Sequence, residues 1–212
     1  MEEKVSFKNY VKMRKKFLAE HQEEPFYYEL GKSHILFSAP HAVSQVRLGK
    51  PKYAEPGTVS AALILAQRLN ASYIVRTKNN EDDPNFDQQS PYREKIKYML
   101  SVKGVKYLLD IHGLAKHREC DINLGIHLGE NIKTNEPLFN KLEQSLMQAG
   151  FVVNVDQPFM AQASTISSYF AKEFGIWTVQ LEINSKITNE SANIGKLNLL
   201  LNTLTEVFKT LN

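Results

Sequence analysis

Three short apolar runs in this 212-residue chain each end by delivering a polar group, and that pattern constrains the fold more than any other feature. Ile35-Leu36-Phe37-Ser38-Ala39-Pro40-His41 closes on a histidine. Tyr107-Leu108-Leu109-Asp110-Ile111-His112-Gly113 closes on another, followed by glycine. Trp177-Thr178-Val179-Gln180-Leu181-Glu182-Ile183-Asn184 carries a carboxylate near its end. A run of this kind reads as a buried strand that brings its last polar side chain to the edge of a sheet. In open α/β sheets that edge, at the carboxyl ends of the strands, is where ligands bind. Two imidazoles and a carboxylate meeting there suggest a metal site with a general base.

The rest of the chain supplies the elements such a sheet needs. Apolar spacing predicts helices over 7–20, from Thr58 as N-cap through Leu69, from Ser90-Pro91 to a stop at Gly104, and over 136–149, 165–174 and 191–211. Strands are expected at 26–30, 34–39, 73–76, 105–111, 122–128, 151–155 and 177–183. Residues 51–57, with two prolines, read as a loop, and 78–89 as a long polar loop of the kind that is often functional. Alternating strands and helices give an α/β class with a mixed, largely parallel sheet flanked by helices. No linker composition or internal period divides the chain. A single domain over 1–212 is expected, with residues 1–25 forming an N-terminal helix packed on it.

Charge and cysteine content remove other classes. The 26 basic and 23 acidic residues leave a net +3, and the clearest basic cluster (Lys12, Arg14, Lys15, Lys16) is followed closely by Glu20, Glu23 and Glu24. That is a solvated helix face rather than a nucleic-acid stripe. No apolar stretch approaches the roughly 20 residues of a membrane span, and Met1–Ser6 lacks a signal-peptide core. A cytoplasmic protein with neither nucleic-acid nor membrane partner is expected. Cys120 is the only cysteine, and its polar Arg-Glu-Cys-Asp setting does not resemble that of a nucleophile.

Of six histidines, His21, His34 and His127 read as packing or solvent residues, and His117 as a loop residue with two equal readings. His41 and His112 differ because each ends a strand. Asp110 and His112 are two apart and leave the same face, so Asp110 either ligates directly or fixes the tautomer of a ligating imidazole. Zn²⁺ accepts histidine nitrogen and carboxylate oxygen, and catalytic sites commonly use three protein ligands. Glu55, just before a helix, is the candidate for the third. Glu182 sits between Leu181 and Ile183, where burial would raise its pKa toward the range of a general base.

At these residues the sequence resembles the N-formylglutamate amidohydrolase-like family and, more distantly, zinc carboxypeptidases and poly-gamma-glutamate hydrolases. The matching pieces are Ser38-Ala39-Pro40-His41, Glu55-Pro56-Gly57-Thr58, Asp110-Ile111-His112-Gly113, Asp121-Ile122-Asn123-Leu124-Gly125, Pro158-Phe159 and Gln180-Leu181-Glu182-Ile183-Asn184, in the same order over about 30–190. The resemblance implies a phosphorylase/hydrolase-like, carboxypeptidase-like α/β fold and hydrolysis of an amide bond in a small anionic, carboxylated substrate with one Zn²⁺. His41, Glu55 and His112 fall on its metal-ligand positions and Glu182 on that of the base. The carboxypeptidase pattern H-x-x-E is absent, since Ser44 is the third residue after His41. The later Glu-x-Gly-Thr is similar to the poly-gamma-glutamate hydrolases, with a longer insertion.

The same relatives use arginine and asparagine to bind substrate carboxylate and polarise the scissile carbonyl, chemistry that suits a bidentate guanidinium. Arg93, opening a helix after the polar loop, is the first candidate for a catalytic arginine. Arg76, Arg118, Asn85 and Asn184 are the remaining candidates for substrate contacts. The competing reading is a non-catalytic carboxylate-binding protein that keeps the fold. A second copy of the chain is left open as a partner.

Overall fold

All eight residues from Trp177 to Asn184 are buried, and Trp177, Thr178, Val179, Leu181 and Ile183 among them are aromatic, β-branched or aliphatic, the mark of a central strand covered on both faces. The computed structural model, described over residues 4–211, builds a seven-stranded sheet around it. In chain order the elements are α1 (Phe7–His21), β1 (Phe26–Glu29), β2 (Ile35–Ala39), β3 (Gln45–Arg47), β4 (Lys50–Lys52), α2 (Gly57–Leu69), β5 (Ser72–Arg76) and α3 (Pro91–Lys103). Then come β6 (Tyr107–Leu114), β7 (Ile122–Gly125), α4 (Glu136–Gln148), β8 (Val153–Val155), α5 (Ile166–Phe174), β9 (Trp177–Asn184), α6 (Ser185–Asn189) and α7 (Ile194–Phe208). The sheet order is β1-β5-β2-β6-β9-β7-β8. Strands β5, β2, β6 and β9 are parallel, while β1 and β7 join antiparallel and β8 pairs parallel to β7. The fold is a single α/β domain with a mixed, mostly parallel sheet, as the alternation of elements predicts. Residues 1–3 of the expected N-terminal segment, and 212, lie outside the described residues.

The two sheet faces are chemically different because side chains alternate along a strand. One face carries Ile35, Phe37, Leu109, Ile111, Val179 and Leu181 into a large core under α1, α2, α4 and α7. The other carries Leu36, Ile74 and Leu108 into a smaller core under α3 and α5. On that second face Ser38, Asp110, His112, Gln180 and Glu182 follow the apolar residues toward the carboxyl ends of β2, β6 and β9. The polar groups cluster where the helices no longer cover the sheet.

Several expected boundaries are corrected. Helix α2 begins at Gly57 with Pro56, not Thr58, as N-cap. Thr58 lies inside the first turn, and its hydroxyl donates to the Glu55 carbonyl at 2.8 Å. The 51–57 loop starts later, because Lys50–Lys52 pairs with Gln45–Arg47 in an exposed two-stranded sheet whose edge tolerates Pro51. The 122–128 strand ends at Gly125, since Asp156 takes the Ile126 and Leu128 N–H groups and turns the chain. The 151–155 strand is only Val153–Val155. The 191–211 helix is regular only over Ile194–Phe208, with 3₁₀ turns at either end.

Candidate metal centre and cavity

His41 and His112 end neighbouring parallel strands, and β2–β6 pairing sets them side by side with rings edge to face, 4.6 Å between centroids. Their Nδ1 atoms lie 3.1 Å apart. Glu55 reaches the same point: Oε1 is 3.2 Å from His41 Nδ1 and Oε2 is 3.4 Å from His112 Nδ1. The approach depends on two backbone features. The Glu55 N–H donates to the His41 carbonyl at 2.7 Å, and the Gly113 N–H donates to Glu55 Oε2 at 2.9 Å. A Cβ on Gly113 would stand 3.1 Å from Glu55 Cβ and Cγ, so a side chain there would press the glutamate out of place.

Each imidazole is held from behind by a buried carboxylate. His41 Nε2 lies 2.9 Å from Asp83 Oδ1, and His112 Nε2 lies 3.0 Å from Asp110 Oδ2. Asp83 in turn accepts from Arg47 Nε at 2.7 Å, and Asp110 from the Ser38 hydroxyl at 2.8 Å. With Nε2–H donated to a carboxylate, each ring turns its Nδ1 lone pair to the other ring and to Glu55. Two imidazole nitrogens and a carboxylate facing one point draw a positive charge, a proton or a metal ion, in among them. One ligand atom from each of the three residues falls within 4.8 Å of the others, so the donor set fits a divalent metal ion.

The electrostatics agree. Burial works against protonation of His41, but Glu55 and Asp83 outweigh it and raise its pKa. His112 is raised further, against the same burial, by Asp110 and Glu55. Glu55, despite burial, is held down at about 2 by the two imidazoles, and Asp83 lies far below the ordinary carboxylate range through His41 and Arg47. The pocket therefore favours positive charge at its centre. Glu182 behaves in the opposite way. Parallel register puts it directly opposite His112, and burial pushes its pKa up to about 7 although the imidazoles pull it down. Its Oε1 accepts from Gln180 Nε2 at 2.8 Å.

These groups border a cavity of about 660 Å³. His41, Glu55, His112 and Glu182 line it, as does Asn85. Arg47, Lys52 and Tyr53 form one wall and Asp156–Thr165, with Pro158 and Phe159, contribute another. Asp110 stands behind His112 rather than on the cavity. Asn85 has its carbonyl oxygen engaged by the Ile166 N–H at 2.8 Å.

The remaining candidates are placed elsewhere. Arg93 is fully buried beside the cavity without lining it, its Nε donating to the Pro84 carbonyl at 2.7 Å and its Nη2 to the Ser164 carbonyl. Arg76 binds Asp82 and the Lys78 carbonyl, bracing the polar loop. Arg118 is exposed, and Asn184 donates to the Arg118 and Cys120 carbonyls to tie down the loop after β6. None of Arg76, Arg118 and Asn184 borders the cavity.

Sequence reasoning missed Asp83, Arg47 and Gln180. Asp83 had a signal in the length of the polar loop that holds it. Arg47 had almost none: its hairpin turns on Leu48-Gly49, both at positive φ (52° and 72°), and leucine there hides the turn that Asn-Gly would announce.

No protein-family model matches the sequence, and no curated protein does. Solved structures are similar in fold. N-formylglutamate amidohydrolase from Ralstonia eutropha superposes with a TM-score of 0.58 at 14% identity, covering 88% of this chain and 96% of the other. A bacteriophage poly-gamma-glutamate hydrolase gives 0.55 at 19%, covering 88% and 87%. A metallo-carboxypeptidase from Pseudomonas aeruginosa gives 0.55 at 15%, covering 98% of this chain and 70% of its own length. By architecture the chain has the α/β fold shared by these hydrolases, with a His-Glu-His cluster able to hold a metal at the carboxyl ends of its central strands.

Proposed function

We propose that this protein is a zinc-dependent amidohydrolase that cleaves an amide bond of a small carboxylated substrate, such as an N-acyl amino acid or a gamma-glutamyl peptide. The observation that carries the reading is the convergence of His41 Nδ1, His112 Nδ1 and Glu55, each imidazole backed by a carboxylate, beside a glutamate with a pKa of about 7. His41, Glu55 and His112 would hold the ion, which when bound supplies Lewis-acid polarisation of the carbonyl and acidifies water to a pKa of about 7. Asp83 and Asp110 keep the two imidazoles in the ligating tautomer.

Glu182 does the proton work. At neutral pH a carboxyl of this pKa is divided between its two forms, so it can take a proton from water and return it to the leaving nitrogen. Arg47 recognises the substrate carboxylate: its Nε is spent on Asp83, its side chain is one-third exposed, and its guanidinium borders the cavity. Arg93 acts through the backbone, bridging the loop that carries Asp83 and the wall that carries Ser164. The cytoplasmic setting expected from the sequence remains part of this proposal.

The test is zinc content together with turnover on N-formyl-, N-acyl- and gamma-glutamyl amino acids. Reconstituted protein should bind one zinc per chain, and Glu182→Gln should keep the metal while losing about 10²–10⁴-fold in turnover. Stoichiometric zinc with no hydrolysis of any substrate would favour the non-catalytic carboxylate-binding reading instead.

A further inference from the structure

Gln180 carries a contradiction. It is 4% exposed, borders the cavity, and sits two residues before Glu182 on the same strand face. Its Nε2 donates to Glu182 Oε1 at 2.8 Å, which distinguishes the two ends of the amide. The other end, Oε1, is buried with no hydrogen-bond partner. Asn123 repeats the pattern. It lies opposite Glu182 on β7, spends its Nδ2 on the Phe159 carbonyl at 2.7 Å, and leaves Oδ1 buried and unpaired. Two acceptors without donors thus flank the proposed base on one face. Each adds the cost of an unmade hydrogen bond to the folded chain.

Ligand chemistry can satisfy what the chain does not. An acceptor fixed one amide group away from Glu182 is within reach of any nitrogen that receives a proton from that carboxylate. We propose that Gln180 Oε1 is a specificity-determining contact that accepts an N–H from the substrate nitrogen on which Glu182 acts, so that the site takes secondary amides and retains the amine they release. Asn123 holds the Phe159 backbone against this corner and adds a second acceptor behind it. Gly125, opposite Gln180 in register, completes the packing: a Cβ there would meet Ala161 N at 3.0 Å, so the wall closes directly over this part of the strand. The identity of the nitrogen rests on the amide-hydrolase reading. The unfilled acceptor does not.

The experiment uses a ligand pair that differs only at that nitrogen. Zinc-loaded protein is titrated calorimetrically with glutamate and with glutarate, which has the same two carboxylates and no amine. The wild type should bind glutamate at least about tenfold more tightly, and Gln180→Met, which keeps the volume and removes both polar ends, should abolish the preference. In parallel, the kcat/KM ratio for an N-acylglutamate over its N-methylated amide should be at least about tenfold in the wild type and should collapse in the variant. Equal or absent binding of the two acids by the wild type overturns the inference, and that measurement stands even if Gln180→Met fails to fold. So does a preference that survives in a folded Gln180→Met. If no amide is cleaved but the glutamate preference and its dependence on Gln180 hold, the hydrolase reading falls and the acceptor site stands. Cleavage without the preference is the reverse case.

Discussion

The cavity has a strand-built side and a loop-built side, and the two were reached by the chain in different ways. His112, Asp110, Gln180 and Glu182 come from β6 and β9, whose parallel register fixes their spacing before any loop is considered. Asp83, Arg47 and Glu55 come from a polar loop, a free hairpin and a turn, and they are placed by individual hydrogen bonds. The two sides nonetheless converge on one symmetric motif: an imidazole with a carboxylate behind it, once from the strand pair Asp110–His112 and once from the loop pair Asp83–His41. Chemistry at a metal demands the same partner whatever backbone supplies it. Rigidity, however, is cheap on the strand side and must be assembled contact by contact on the loop side.

The largest effect should come from breaking the centre itself. His112→Ala should leave the chain folded but unable to hold stoichiometric zinc, and turnover should fall to background. Metal analysis after dialysis against a weak chelator reads this directly, and a variant that keeps its zinc would remove His112 from the ligand set. The sharper comparison is Asp110→Asn against Asp83→Asn. Either should weaken metal affinity about 10–100-fold. We expect Asp83→Asn to disturb more than affinity, because the Asp83 carboxylate also accepts from Arg47 and from the Asn85 N–H of its own loop. If the loop-side variant behaves the same as the strand-side one in both metal competition and proteolysis of 78–89, the contrast between the two sides is wrong.

A smaller effect is expected at Arg47. Replacing it by alanine removes the proposed contact to a substrate carboxylate and one partner of Asp83 together. KM should rise about tenfold with kcat changed less, as for loss of uniform binding. A fall in kcat alone would move Arg47 from substrate binding to support of His41.

This division also explains what the sequence made legible. Strand ends are readable because burial forces an apolar run and the run stops where the polar group begins. His41, His112 and Glu182 announce themselves in that way, and Asp110 follows from the two-residue period. Glu55 was legible from its place just before a helix and from its similarity to Glu-x-Gly-Thr, but nothing in the local pattern says that Gly113, 58 residues away, leaves room for it. Arginines were the poorest guide. Arg76, Arg93 and Arg118 were candidates by position near loops, yet Arg76 is taken up by Asp82 and the Lys78 carbonyl, Arg93 spends its Nε and Nη2 on carbonyls and keeps its Nη1 buried, and Arg118 lies outside. A guanidinium's five donors suit backbone bracing as well as substrate binding, and only the three-dimensional partners decide between them.

The smallest effect tests whether the strand side owes its order to an anchor remote from the metal. Asp121 opens β7: its carboxylate accepts from the Val152 N–H at 2.9 Å and from Lys196 at 2.7 Å, with Lys186 at 3.5 Å. Burial opposes its ionisation, but Lys196, the Val152 N–H and Lys186 outweigh it, and its pKa is lowered. A carboxylate lowered in the folded state stabilises above its unfolded pKa, and that contribution is lost as the pH falls through the folded value. Because the lysines are about one-third exposed, the effect is discounted for solvent screening to about 1–2 kcal/mol. Asp121→Asn should therefore lower the unfolding midpoint at pH 7, flatten the loss of stability between about pH 4 and the acid limit, and leave zinc affinity unchanged. Should zinc affinity fall with it, β7 and its hold on the Asp156–Thr165 wall belong to the metal centre, and the two sides of the cavity are one mechanical unit.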